Sequence, residues 1–185
     1  ADLLEEFFAG LPVSIERITP HPGRTTLVVT VEGSEPGSDG TPLTLVGHTD
    51  VVPVDEAKWT RDPFGARIED GVMWGRGTVD MLHLTAAMAV VTREVARRAQ
   101  KGEPPARSLV FVAAADEEAR GGLGVPWIGD NRPDAFPWDA ALSEMGGAHI
   151  RGRRGGDSVV VVVGEKGAAQ RRLHIRGDAG HGSVP

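Results

Sequence analysis

Five side chains in this sequence could share one piece of chemistry: His48, Asp80, Glu117, Glu118 and Glu144. One imidazole with several carboxylates is a ligand set for zinc, or for cobalt or manganese at the hard end, and is too rich in nitrogen for a dedicated calcium site. Two metals sharing a carboxylate would account for so many acids, and such paired sites activate water and polarise a carbonyl together. Each residue also has a plainer explanation. His48 is either a core imidazole bonded to a neighbouring turn or a metal ligand, with Asp50 as the carboxylate that fixes its tautomer. Asp80 stands where a helix begins and is either a cap or a ligand. Asp116, Glu117 and Glu118 either open a solvated helix or crowd around a cation, because three adjacent carboxylates at a buried strand end repel one another.

The elements that must position these residues can be read from pattern. Leu43–Gly47 is a short apolar run ending at His48, and Leu109–Ala115 (LVFVAAA) is a continuous one ending at the acidic triplet, the pattern of a strand covered on both faces. Ala140–Ser143 is a further short strand, with Glu144 directly after it. Met81–Gln100 predicts an amphipathic helix, with Leu84, Ala87, Met88, Val91 and Val95 on one face and Arg93, Arg97 and Arg98 largely opposite. Thr25–Glu32 predicts a strand, residues 1–12 the end of a helix, and Ala66–Ile68 with Val72–Trp74 a short hairpin. Further on, Arg151–Asp157 predicts an exposed hairpin turn, Ser158–Val163 a strand, Gly164–Gly167 a hinge, and Leu173–Arg176 the first strand of a new unit. The expected fold is α/β, a mostly parallel sheet flanked by helices. Four of the five candidate residues then sit at strand ends, where a doubly wound sheet gathers its ligands at one edge.

Composition narrows the partners. The chain has 185 residues, 40% hydrophobic and 25% charged, with net charge −6, which gives no support to a general affinity for nucleic acid or anionic membrane. It has no cysteine, so disulfides, thiolate metal sites and a cysteine nucleophile are excluded. Its apolar runs are far too short to span a bilayer, no signal peptide is visible, and a cytoplasmic protein is expected, with the natural start upstream of Ala1.

The segments GHTDVVP, WTRDPFGARIEDGVMWGRGTVDM, ADEEARGG, SEMGG and GHGSVP resemble, in order and approximate spacing, the M20 family of metallopeptidases and amidohydrolases. The resemblance implies a zinc-exopeptidase-like catalytic domain over residues 1–163 and the truncated start of an α+β lid or dimerisation domain over 164–185. It implies a hydrolase of C–N amide bonds in peptides or N-acyl amino acids, with carboxypeptidase and deacylase activities both in range. By the same resemblance two divalent metals, zinc with cobalt or manganese as alternatives, are held by His48 and Glu144 on one side and Glu118 on the other, with Asp80 bridging. Asp50 would orient His48, Glu117 would be the general base for a metal-bridging water, and His181 would match a lid histidine that helps hold the oxyanion, often reaching a partner subunit in a homodimer. His21, His83, His149 and His174 match no ligand motif.

Two departures qualify the match. Leu82 and His83 stand where the family pattern has lysine and glycine, and the family's last histidine ligand lies beyond a segment this sequence does not contain. The 185 residues are therefore expected to hydrolyse poorly unless something completes the site. A non-catalytic module that keeps the fold and a partial metal site is the alternative. A di-metal phosphoesterase would need more histidines and phosphate-holding basic residues than these motifs offer.

Overall fold

The computed structural model describes residues 1–35, 41–164, 171–174 and 176–177. The chain divides into two compact units, Ala1–Glu144 and Met145–Pro185. In the first, α1 (Asp2–Phe8) precedes the hairpin of β1 (Ser14–His21) and β2 (Arg24–Val31), followed by β3 (Leu43–His48) and a separate hairpin of β4 (Arg67–Glu69) and β5 (Val72–Trp74). Then come α2 (Leu82–Gln100), β6 (Leu109–Ala114), α3 (Val125–Asn131) and β7 (Ala141–Leu142). The second unit contains the antiparallel pair β8 (His149–Arg151) and β9 (Asp157–Val159), joined by the turn expected around the RGRRGGD segment.

The five-stranded sheet has the order β1-β2-β6-β3-β7. Its α/β class is as expected, and the sheet is mixed. β3 runs parallel to β6 and β7, the half that carries the candidate residues, whereas β1–β2 and β2–β6 are antiparallel. The antiparallel half follows from a tight connection: Pro22 and Gly23, the latter at φ +79°, reverse the chain over two residues, and parallel neighbours cannot be joined that way.

Alternation along the central strands divides the core between two faces. Leu27, Val29, Val31, Leu109, Phe111 and Ala113 pack with Phe8 of α1 and with Met88, Ala89 and Ala96 of α2. Their sequence neighbours Val28, Val110, Val112 and Ala114 pack on the other face with Ile128 of α3 and Phe136. All six residues of β6 are buried, which explains its unbroken apolar sequence.

Several expectations are corrected in detail. The buried stripe of α2 is Thr85, Met88, Ala89, Thr92 and Ala96, while Val91 is half exposed and Ala87 is exposed. Close approach to the sheet selects small residues over bulky ones. Gly47 of β3 meets the helix where a Cβ would stand 2.6 Å from Thr85 Oγ1; Thr92 satisfies its hydroxyl by donating to the Met88 carbonyl of the preceding turn, and Thr85 donates to the His48 carbonyl of the strand. No helix follows the acidic triplet directly; residues 117–120 form a turn, and α3 starts at Val125. Of the strand expected over Ser158–Val163, only Ser158 and Val159 are extended, in the strand Asp157–Val159. The strand expected to start at Leu173 is absent from the described residues there. Among the described residues, no helix is long and apolar enough to cross a membrane.

Candidate metal centre

Strand register decides which residues meet. His48 pairs with Ala114, so Asp50 and Asp116 lie at the same level just past the ends of two adjacent parallel strands. β7 pairs Thr44 with Ala141, which brings Glu144 level with Gly47 on the other side of β3. β3 leads on toward α2 on one face and β6 toward α3 on the other. Between two such diverging exits an α/β sheet has its ligand-binding crevice.

His48 is buried, 3% exposed. Its Nδ1 lies 2.9 Å from the backbone carbonyl of Asp50 and its Nε2 3.0 Å from Asp80 Oδ1. A proton on Nδ1 donated to that carbonyl orients the ring and turns Nε2 toward Asp80, where a metal would take the place of the proton between them. Asp80 does not cap α2: Met81 occupies the cap position and no side chain caps the helix. Thr85 instead fixes this helix end to the strand, its hydroxyl donating to the His48 carbonyl at 2.8 Å, and so holds Asp80 opposite the imidazole.

Asp50 does more than face His48. Its Oδ1 is 3.8 Å from Nδ1, while its two carboxylate oxygens accept the backbone N–H groups of Glu117 at 3.1 Å and Glu118 at 3.0 Å. Through its carbonyl it orients the imidazole, and through its carboxylate it clamps the acidic loop. Asp116 turns the other way. It is 4% exposed, pairs with Arg24 Nε at 2.8 Å and accepts the N–H of Leu123 at 2.9 Å. The acidic triplet is therefore two carboxylates at the site and one anchor behind it. The anchor sits at φ +68°, and the chain then passes so close to itself that a Cβ on Gly124 would stand 2.1 Å from the Ala115 carbonyl oxygen. Neither Arg24 nor Thr85 was legible as a supporting residue, since Arg24 meets its partner only through the sheet and Thr85 reads locally as one more helical threonine.

His48, Asp80 and Glu118 each offer one ligand atom, and all three atoms lie within 4.8 Å of one another. A nitrogen and two carboxylate oxygens at that spacing fit a first-row divalent ion such as zinc. Glu144 joins through Asp80: burial, then the hydrogen bond it shares with the Asp80 carboxyl, push its own carboxyl above the usual carboxylate range. Glu117 stands beside the triad, its Oε2 3.9 Å from His48 Nε2 and its side chain 55% exposed. Partial desolvation raises it, reinforced by the Glu118, Asp50 and Asp80 charges and opposed by His48. Burial disfavours the charged form of His48, but the Asp50 carbonyl, Asp80 and Glu117 outweigh it and raise the imidazole. His181 lies outside the described residues. The remaining histidines are elsewhere: His21 faces the Pro22 carbonyl, His149 pairs with Asp157 at 2.9 Å, and His83 and His174 are exposed.

These shifts share one sign. A raised imidazole gives stability that is present below its ordinary value of 6.5 and lost as pH rises through the folded value. Raised Glu117 and Glu144 make the folded state hold protons that the unfolded chain releases from 4.5 upward. The melting temperature of the metal-free chain is expected to fall between about pH 5 and about pH 8, and added zinc, which needs the deprotonated groups, to restore it increasingly over that interval. Scanning calorimetry with and without zinc checks this; a metal-free melting temperature that rises with pH would contradict it.

A family model described as peptidase family M20/M25/M40 matches residues 44–176. Succinyl-diaminopimelate desuccinylase 1 of Ruegeria sp. (strain TM1040) is 34% identical over 140 residues, covering 75% of this chain and 35% of its own length. The chain thus spans about a third of the length of that curated relative. Among solved structures, human carnosine dipeptidase 1 matches with a TM-score of 0.55 at 23% identity, covering 77% of this chain and 30% of its own. The M20 family metallo-carboxypeptidase Sso-CP2 of Sulfolobus solfataricus matches with a TM-score of 0.55 at 21% identity over the same shares. At these identities the structural matches establish the fold.

Proposed function

This chain belongs to the M20/M25/M40 peptidase family, and from that premise we propose that it carries the metal centre of a hydrolase of C–N amide bonds in peptides or N-acyl amino acids. The observation that carries this proposal is the convergence of His48, Asp80 and Glu118 at one sheet edge, with the Glu117 carboxylate beside them. A dipeptidase, a metallo-carboxypeptidase and a desuccinylase among the similar proteins all cleave such bonds.

In the proposed assignment His48 and Glu144 would hold one divalent ion and Glu118 a second, with Asp80 shared between them. When bound, the metal pair lowers the pKa of an attacking water and polarises the amide carbonyl. Glu117 takes the proton from that water as the new C–O bond forms. It returns the proton to the leaving nitrogen as the C–N bond breaks. Its freedom suits the task, because its side chain is 55% exposed while Asp50 holds its backbone N–H. Asp50 keeps that backbone and the His48 tautomer in place throughout. His181, a lid beginning at residue 164 and a homodimer remain part of the proposal, as does the need for a further ligand from outside these residues.

The test is hydrolysis of a panel of dipeptides and N-acyl amino acids by the full-length enzyme. Activity is expected to fall at least about 100-fold on chelation and to return with zinc, cobalt or manganese. Chelator-resistant hydrolysis would refute the proposal, and steady turnover by the 185-residue chain alone, lost in Glu117→Gln, would refute the need for a completing segment.

A further inference from the structure

At His48 the strand β3 loses its neighbour on one side. Backbone groups of a strand point alternately to its two neighbours. Leu43 and Thr49 send their N–H groups toward β6, donating to the Ser108 and Ala114 carbonyls, whereas Thr44 sends its own the other way, to Ala140 before β7. His48 lies four residues past Thr44 and therefore faces the β7 side. β7, however, pairs only with Thr44 and Leu45, so at His48 the ladder on that side has already ended. The start of α2 takes the place of the missing strand. The His48 N–H donates to Met81 Sδ at 3.4 Å, and the His48 carbonyl accepts the Thr85 hydroxyl at 2.8 Å. His48 and Met81 are 3% and 2% exposed. A thioether is a weak acceptor, but a buried N–H left unmade is costly, so the sulfur matters more here than it would at the surface.

Met81 directly follows Asp80, whose Oδ1 lies 3.0 Å from His48 Nε2. Two consecutive residues thus grip one histidine, the first at its ring and the second at its main chain. Met81 is itself fixed, because its carbonyl accepts the N–H groups of Leu84 at 2.9 Å and Thr85 at 3.0 Å. We infer that Met81 is a positioning residue of the metal centre: its sulfur holds the His48 main chain at the spacing that lets the imidazole and the Asp80 carboxylate share an ion. The inference rests on the metal-centre reading above and adds a residue that touches neither the ion nor a ligating atom. A leucine would fill the same space and offer no acceptor.

The experiment compares the 185-residue chain with Met81→Leu and with Met88→Leu, the same swap at a buried methionine further along α2. Zinc affinity is measured by calorimetry on the metal-free proteins, and hydrogen exchange is followed in ¹⁵N-histidine-labelled samples. Of the six histidines, His48 is identified by the resonance lost in His48→Ala. Met81→Leu is expected to weaken zinc binding about tenfold and to speed exchange of the His48 amide about tenfold, while Met88→Leu changes neither. Should Met81→Leu fail to fold, the unaltered sequence grown with selenomethionine decides. Selenium in contact with the His48 N–H is expected to move that amide proton more than those of the other histidines. No zinc uptake by the wild type would overturn the metal-centre proposal, and this role with it. Zinc uptake with Met81→Leu binding as tightly as Met88→Leu, even at a lowered melting temperature, would reduce Met81 to packing and leave the metal centre standing. A His48 amide that exchanges alike in both variants, or that ignores selenium, would overturn the role of Met81 in the same way.

Discussion

Replacing Glu117 by glutamine in the full-length enzyme is expected to lower kcat by about 10²–10⁴-fold while zinc affinity changes by less than about twofold. The separation follows from geometry. Glu118 belongs to the converging set of potential ligands, whereas Glu117 lies outside it, half exposed, with its carboxylate 3.9 Å from His48 Nε2. The same substitution has a second readout. The Glu117 carboxyl is raised by desolvation and by the surrounding acids, so above the usual carboxylate range its charge works against the folded state. The metal-free variant should therefore melt at or above the wild-type temperature near pH 8. A base retained only for chemistry can be removed at no loss of stability. A clear drop in melting temperature with unchanged turnover would instead favour a non-catalytic module in which Glu117 belongs to a structural network.

The second large effect concerns Asp50. Asp50→Ala removes both acceptors that hold the Glu117 and Glu118 backbone, each bond to a charged acceptor being worth about 1.5–3 kcal/mol. Stability is expected to fall by about 3 kcal/mol, and zinc affinity by about 10–100-fold, the usual range for a residue that orients ligands without touching the ion. The His48 tautomer should survive, because Nδ1 bonds to the residue-50 carbonyl and not to its side chain. Asp50→Asn, which keeps one acceptor, should fall between the two. Urea denaturation, zinc calorimetry and the imidazole ¹⁵N shifts of His48 measure the three parts. A lost tautomer with an undisturbed acidic loop would show that the carboxylate acts on the histidine after all.

What the sequence made legible was set by locality. β3 and β6 are apolar runs that end in polar residues, so the level of His48 and of Glu117 and Glu118 along the chain could be read directly, as could the helix that follows Asp80. β1 and α3 went unassigned. β1 alternates only loosely, as SIERITPH, with a bulge between Ile18 and His21, and α3 contains Pro126 and Gly129 within seven residues. The buried face of α2 was rotated from its bulky residues to its threonines and alanines, because only packing against Gly47 reveals how near the helix comes. The different duties of Asp116 and its two neighbours were out of reach for a related reason. Three consecutive acids look equivalent until a left-handed residue turns the first toward Arg24, and that pairing is set by register across the sheet.

The central claim is that one sheet edge assembles a metal centre from His48, Asp80 and Glu118. A calorimetric zinc titration of the metal-free chain, beside His48→Ala, Asp80→Asn and the control His83→Ala, tests it most directly. Saturable binding that the first two substitutions abolish and the third leaves intact is the predicted result; a folded chain that takes up no zinc, or takes it up equally in all four proteins, would contradict it.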